Sequence, residues 1–134
     1  MEKGKVVRGR AHHIGLNASD LKRSHDFYDP ILKELGFRHL NMNEKRTFWL
    51  GPETEILIYQ AKQKVPYDRY APGFHHLALM ADSRERVDAV YKIAKDSSAE
   101  ILDEPQVFPQ YDKDYYAAFF LDPDGMKIEI MHMP

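Results

Sequence analysis

The second half of this chain repeats the first, and an internal repeat limits the possible fold more sharply than any local propensity. Residues 12–37 set against residues 75–100, an offset of 63, place His12-His13-Ile14-Gly15-Leu16 against His75-His76-Leu77-Ala78-Leu79 and Tyr28 against Tyr91. Further on, Phe48-Trp49-Leu50-Gly51-Pro52 matches Phe119-Phe120-Leu121-Asp122-Pro123 at an offset of 71. Each copy reads as a short apolar strand, a polar cap, a helix, and a turn followed by a last apolar strand. The repeat therefore predicts an α+β fold of two βαβββ modules, module one at about 9–62, a linker at about 62–72 carrying Pro66 and Pro72, and module two at about 73–133.

Local patterning supports the two helices. Ser19 or Asp20 caps a first helix whose apolar face is Leu21, Phe27, Tyr28, Ile31, Leu32 and Leu35, and Gly36 suits the position just past its end. Pro30 lies inside this run and predicts a kink or split. Asp82 or Ser83 caps a second helix with Val87, Val90, Tyr91 and Ala94 on one face. The change of offset puts about eight extra residues within Asp103–Tyr115. That stretch is either an aromatic lid or an ordinary solvated connection. A small sheet with one helix leaves its other face bare, so the halves should pack together or exchange partners between chains.

Strand alternation sorts the side chains by face. In Ala11–Asn17, Ile14 and Leu16 point toward the helix, while His13, Gly15 and Asn17 oppose them. In Phe74–Met80, Leu77 and Leu79 take the helix side, and His76, Ala78 and Met80 the other. In Met126–His132, Ile128 and Ile130 point to the helix, and Lys127, Glu129 and Met131 away. His13, His76 and Glu129 thus share the helix-free face, and the two histidines hold the same place in the two copies. Imidazole and carboxylate together suit a first-row divalent ion. Three protein ligands leave coordination positions open for a substrate. His12 and His75 fall on the helix side by parity and read as structural, whereas His25, His39 and His132 have no counterparts and read as exposed.

Composition excludes several other classes. The charge is mixed, 30% of residues with a net −2, without the basic stripe of a nucleic-acid binder. No apolar run approaches the ~20 residues of a membrane helix. The charged stretch Met1 to Arg10 lacks the apolar centre of a secretory signal. There is no cysteine, hence no disulfide, thiolate ligand or cysteine nucleophile. A cytoplasmic location is expected.

These motifs resemble the vicinal oxygen chelate superfamily, which includes glyoxalase I, fosfomycin-resistance enzymes, extradiol dioxygenases and bleomycin-resistance proteins. The likeness rests on His13-Ile14-Gly15-Leu16 with Asp20, Ser24 and Phe27-Tyr28, on His76-Leu77-Ala78-Leu79, and on Tyr116 through Asp122-Pro123-Asp124-Gly125 to Glu129. It spans about Gly9 to His132 and implies a half-open barrel around a metal, in a homodimer whose two chains share ligands. His13, His76 and Glu129 land on three of the family's metal positions, with Glu129 as ligand and catalytic base and Zn, Ni, Mn or Fe as the ion. Glyoxalase I adds a second carboxylate from the last strand of module one. Aligning Pro52 with Pro123 puts Ile58 there, and parity sets Glu55 with Leu57 and Tyr59 on the opposite face. Phe48, Ile58, Met80, Phe119, Met131 and Tyr115 would line the substrate pocket. The resemblance implies a metal-dependent glyoxalase-like lyase or isomerase acting on a small oxygen-chelating substrate. The alternatives are a thiol transferase or dioxygenase of the same superfamily, or a non-catalytic drug-binding protein. A Tyr that the fosfomycin thiol transferases carry ten residues before the Glu is Phe119 here.

Overall fold

A computed structural model describes residues 8–134; residues 1–7, and with them most of the charged N-terminal stretch, lie outside the described residues. The order is β1 (His13–Ala18), α1 (Leu21–Glu34), β2 (Arg38–Met42), β3 (Arg46–Leu50), β4 (Glu55–Gln60), β5 (His76–Met80), α2 (Arg84–Asp96), β6 (Ile101–Val107), β7 (Tyr116–Leu121) and β8 (Lys127–His132). Two four-stranded sheets result, ordered β1-β4-β3-β2 and β5-β8-β7-β6. In each, the first strand of the module pairs in parallel with its last, and the other pairings are antiparallel. This is the duplicated βαβββ architecture, with two open sheets in place of a closed barrel.

Capping chemistry sets the helix starts. Asp20 and Ser83 are the N-caps; their side chains accept hydrogen bonds from the backbone amides of Arg23 and Arg86. Gly36 takes φ +89° just past α1, a conformation that glycine adopts without a Cβ clash. The split expected at Pro30 does not occur: α1 runs unbroken through Leu21–Glu34. Pro30 is exposed, so its ring meets solvent, and the packed Phe27, Tyr28, Ile31 and Leu32 hold the helix on either side of the missing donor.

The helix-side faces of both sheets feed one core. Leu16, Ile31, Leu32, Trp49, Ile56 and Ile58 from module one join Leu77, Val87, Val90, Phe120, Ile128 and Ile130 from module two. Polar ties cross between the modules as well. The Tyr28 hydroxyl donates to Asp122 Oδ2 at 2.6 Å, the Ser19 amide donates to Asp124 Oδ2 at 2.9 Å, and Arg86 pairs with Glu34 at 3.0 Å. Asp122 also accepts from the amides of Asp124 and Met126, which closes the turn where Gly125 has φ +86°. Burial pushes the Asp122 carboxyl up, against the Tyr28 hydroxyl and the two amides that favour its ionised form.

Edge strands carry the irregularities. β2 and β6 are both edges and both contain register shifts, and Pro105 sits within β6, where an edge tolerates a missing donor. Part of the extra length in module two is thus strand, not loop. The remaining connection, 108–115, folds back onto the second sheet: Phe108 packs edge-on to Phe119, ring centroids 5.2 Å apart, and Tyr111 stacks on Phe108.

No helix among the described residues is long and apolar enough to cross a membrane.

Candidate metal centre

The helix-free face of the second sheet brings together two of the three predicted ligands. His76 and Glu129 sit on the paired strands β5 and β8, two residues apart in register, since Ala78 is the residue opposite Glu129. His76 Nε2 lies 3.4 Å from Glu129 Oε1. The carboxylate is buried, with its side chain 5% exposed, while that of His76 is 37% exposed. A buried carboxylate needs partners. Beyond His76, Glu129 has Tyr115, whose hydroxyl donates to Glu129 Oε2 in a short hydrogen bond. Burial and that neighbouring carboxylate push the Tyr115 phenol up, so it stays a proton donor.

The rest of this face is apolar. Phe119 is the direct neighbour of Glu129, and Met131 pairs with Met80 on β5 and with Ala117 on β7. Phe108, Ala117, Phe119 and Met131 form a small second core with Tyr115 packed against it. Lys127 sits beside His76, its ammonium 4.6 Å from the Phe119 ring centre.

His13 stands apart from this pair. It occupies the corresponding exposed position on β1, where its Nδ1 lies 3.0 Å from His12 Nδ1. Among the described residues, the group of three His, Asp or Glu ligand atoms that converges within 4.8 Å is His25, Asp29 and His39. Within one chain, His13 therefore does not reach His76 and Glu129. Nor do these ligands line the cleft of about 1550 Å³ bounded by Asn17, Tyr59, Gln60, Tyr67, Phe74 and Asp122.

The register corrects the assignment on β4. Gly15 pairs with Leu57 and Leu16 with Ile58, just as Ala78 pairs with Glu129 and Leu79 with Ile130. Leu57 is thus the counterpart of Glu129, and Ile58 lies in the helix-side core, 1% exposed, away from the proposed pocket. The cause is one residue. The β3–β4 connection is 51–54, whereas the β7–β8 connection is 122–126. Aligning the prolines hides that extra residue, and a slip of one turns a strand over. Glu55 moves faces for the same reason. It pairs directly with His13 on β1 and shares the helix-free face with Leu57, Tyr59 and Phe48, which is opposite Leu57.

The five other histidines also differ from expectation. His12 and His75 precede their strands, beyond the part the helices cover, and are exposed, each touching the histidine that follows. His25 and His39 are half-buried, hydrogen-bonded to Thr47 on the helix side. His132 is likewise half-buried, its Nδ1 2.9 Å from the Ala81 carbonyl oxygen.

Comparison with known proteins agrees with this architecture. Residues 10–130 match the family model described as Glyoxalase/Bleomycin resistance protein/Dioxygenase superfamily. The chain belongs to this superfamily. It is 32% identical over 124 residues to the protein YqjT of Bacillus subtilis (strain 168), covering 90% of this chain and 96% of the relative. It is 31% identical over 131 residues to lactoylglutathione lyase of Escherichia coli O157:H7, covering 91% of each. Among solved structures, a glyoxalase/bleomycin resistance protein from Albidiferax ferrireducens T118 superposes with TM-score 0.79 at 26% identity, over 91% of this chain and 98% of that one. The fosfomycin resistance protein FosX from Listeria monocytogenes shares the fold, with TM-score 0.69 at 20% identity over 96% of each chain.

Proposed function

We propose that this protein is a metal-dependent, glyoxalase-like lyase or isomerase whose site is shared between the two chains of a homodimer. The observation that carries this reading is the 3.4 Å approach of His76 Nε2 to the buried Glu129 carboxylate on the helix-free face. The donor set suits a divalent cation: an imidazole and a carboxylate face the same space, and Lys127 lies along the sheet from it as the nearest cation on these strands. His13 of a second chain supplies the third ligand. Two features support a shared site: His13 does not reach the pair within one chain, and the helix-free face leaves Met80 62% and Tyr59 39% exposed, apolar area that a partner would cover.

A divalent ion bound here would act as a Lewis acid on a substrate oxygen. The chain's own groups do the rest. Glu129 moves a proton at the carbon next to the polarised oxygen. The Tyr115 hydroxyl holds the Glu129 carboxylate in place and takes up part of its charge. Phe119, Met131 and Met80 exclude water, and Phe48 lies on the equivalent face of module one. Leu57 stands where a second carboxylate would be, which leaves the proton transfer to Glu129. Glu55, beside His13, is the carboxylate on the first sheet that could reach a shared ion.

Protein purified without a histidine tag should carry, or take up, at least one divalent ion per chain by elemental analysis, and His76→Ala should remove one ion per chain. The metal-loaded form should convert methylglyoxal and a thiol to the thioester, read by thioester absorbance. Uptake below about 0.2 ion per chain after exposure to Zn, Ni, Mn and Fe, or uptake that His76→Ala leaves unchanged, overturns the proposal.

A further inference from the structure

We propose a second divalent-metal site, formed by His25, Asp29 and His39 on the helix-covered side of module one and independent of His76 and Glu129. His25 and Asp29 stand one turn apart on α1, so both side chains leave the same helix face. His39 comes from β2, the edge strand beneath that face. One ligand atom from each of the three lies within 4.8 Å of the others. Nitrogen and oxygen ligands of zinc sit roughly 2.0–2.2 Å from the ion, hence about 3.4 Å from each other in a tetrahedral site. A binding ion would have to draw the ligand atoms together by up to about 1.4 Å.

The surroundings are those of a built site. Thr47, fully buried on β3, is the point on which both rings converge: its Oγ1 is 2.8 Å from His25 Nδ1 and 2.9 Å from His39 Nε2. A hydroxyl has one proton, so it donates to one ring and accepts from the other. Both imidazoles are thereby held in fixed orientations. Asp29 is oriented by two donors, Trp49 Nε1 at 3.0 Å on Oδ1 and Lys33 Nζ at 2.8 Å on Oδ2. A carboxylate has about four lone-pair sites, so each oxygen keeps room for a metal, and hydrogen bonds of this kind fix carboxylates in metal sites. His25 stacks on Trp49 at 5.2 Å with the ring planes 20° apart. Two imidazoles and a carboxylate select a late first-row divalent ion such as zinc, nickel or copper. Half-burial of all three ligands gives the ion a route from solvent. An ion there would tie α1 to the β2 edge and stabilise the module by mass action.

Trp49 is the single tryptophan of the chain, so its fluorescence reports on this site. The test uses the full chain with His76→Ala and Glu129→Gln, which removes the other metal centre. Nickel or copper should quench Trp49 saturably at one ion per chain, and zinc should compete and restore the emission. Adding His39→Asn should weaken this binding by on the order of tenfold or more. If His39→Asn fails to fold by circular dichroism, Asp29→Asn replaces it, and zinc-induced protection against thermal unfolding is the second readout. The proposal is overturned if the double variant shows no saturable quenching. It is equally overturned if quenching survives unchanged in the folded His39→Asn or Asp29→Asn protein, which would leave a polar cluster that holds α1 on the sheet without an ion.

Discussion

Leu57 occupies in the first sheet the place that Glu129 occupies in the second. Each stands opposite the residue two beyond the module's first-strand histidine, and each is on the helix-free face. A duplicated scaffold thus carries a carboxylate in one copy and an aliphatic side chain in the other. Leu57→Glu should place a second carboxylate by the shared ion and tighten metal binding by about tenfold, the scale on which changes around a metal act. Leu57 is 7% exposed, so the metal-free variant should lose about 1–3 kcal/mol from burying a charged group. Chelator competition measures the first effect, and thermal melts with and without metal the second. Unchanged affinity in a folded variant would place the ion elsewhere.

A site shared between chains makes a prediction that a single-chain site does not. His13→Ala and Glu129→Gln should each abolish metal uptake at this centre. Mixed and reassembled in equal amounts, the two variants should recover one intact site in each heterodimer, because that site draws His13 from one chain and His76 with Glu129 from the other. Elemental analysis after unfolding and joint refolding reads this, with His39→Asn in both variants so that metal at the His25, Asp29 and His39 cluster does not contribute. No recovery, with heterodimers shown by mass spectrometry, would exclude sharing.

Tyr28 and Asp122 join the modules through one buried hydrogen bond. Tyr28→Phe leaves the carboxylate without that donor and should cost about 1–3 kcal/mol at neutral pH. Burial holds the Asp122 pKa above its ordinary 3.8, and the Tyr28 hydroxyl opposes that rise. The hydrogen bond favours the ionised form, so its contribution is present above the folded pKa and fades as pH falls through it. Urea melts should show the gap between wild type and variant shrinking as the pH drops into the range just above ordinary carboxylate values. A gap that stays constant with pH would mean that the two groups are not coupled.

Gly51 opens the β3–β4 turn, the short connection that sets which face Leu57 takes. A Cβ there would lie well under 3.0 Å from both the Thr54 carbonyl oxygen and the Phe37 ring. Gly51→Ala should destabilise by about 1–3 kcal/mol or more, since the backbone oxygen cannot move aside cheaply. By contrast, Gly73→Ala meets no neighbour within 4 Å; its cost should come from the strained φ of +132° alone. Denaturant midpoints of the two variants compare the effects.

Much of this protein was legible in the sequence. Period-two alternation about His13, His76 and Glu129, repeated at a fixed offset, determined the two modules, the strand faces and the candidate ligands, because parity along one strand is local. The turn at Gly36 and the caps, narrowed to Ser19 or Asp20 and to Asp82 or Ser83, follow from equally local chemistry, and the structure places them at Asp20 and Ser83. Tertiary structure decided what depends on pairing between distant segments. One extra residue in the 122–126 turn reverses the assignment of Ile58 and Leu57 and brings Glu55 beside His13, and a turn residue has no periodicity to reveal it. The packing of α1 on β2 and β3 drew His25, Asp29 and His39 around Thr47, residues with no common motif. The single shared core turns the helix-free faces outward, and that arrangement keeps His13 of one chain away from its own His76 and Glu129.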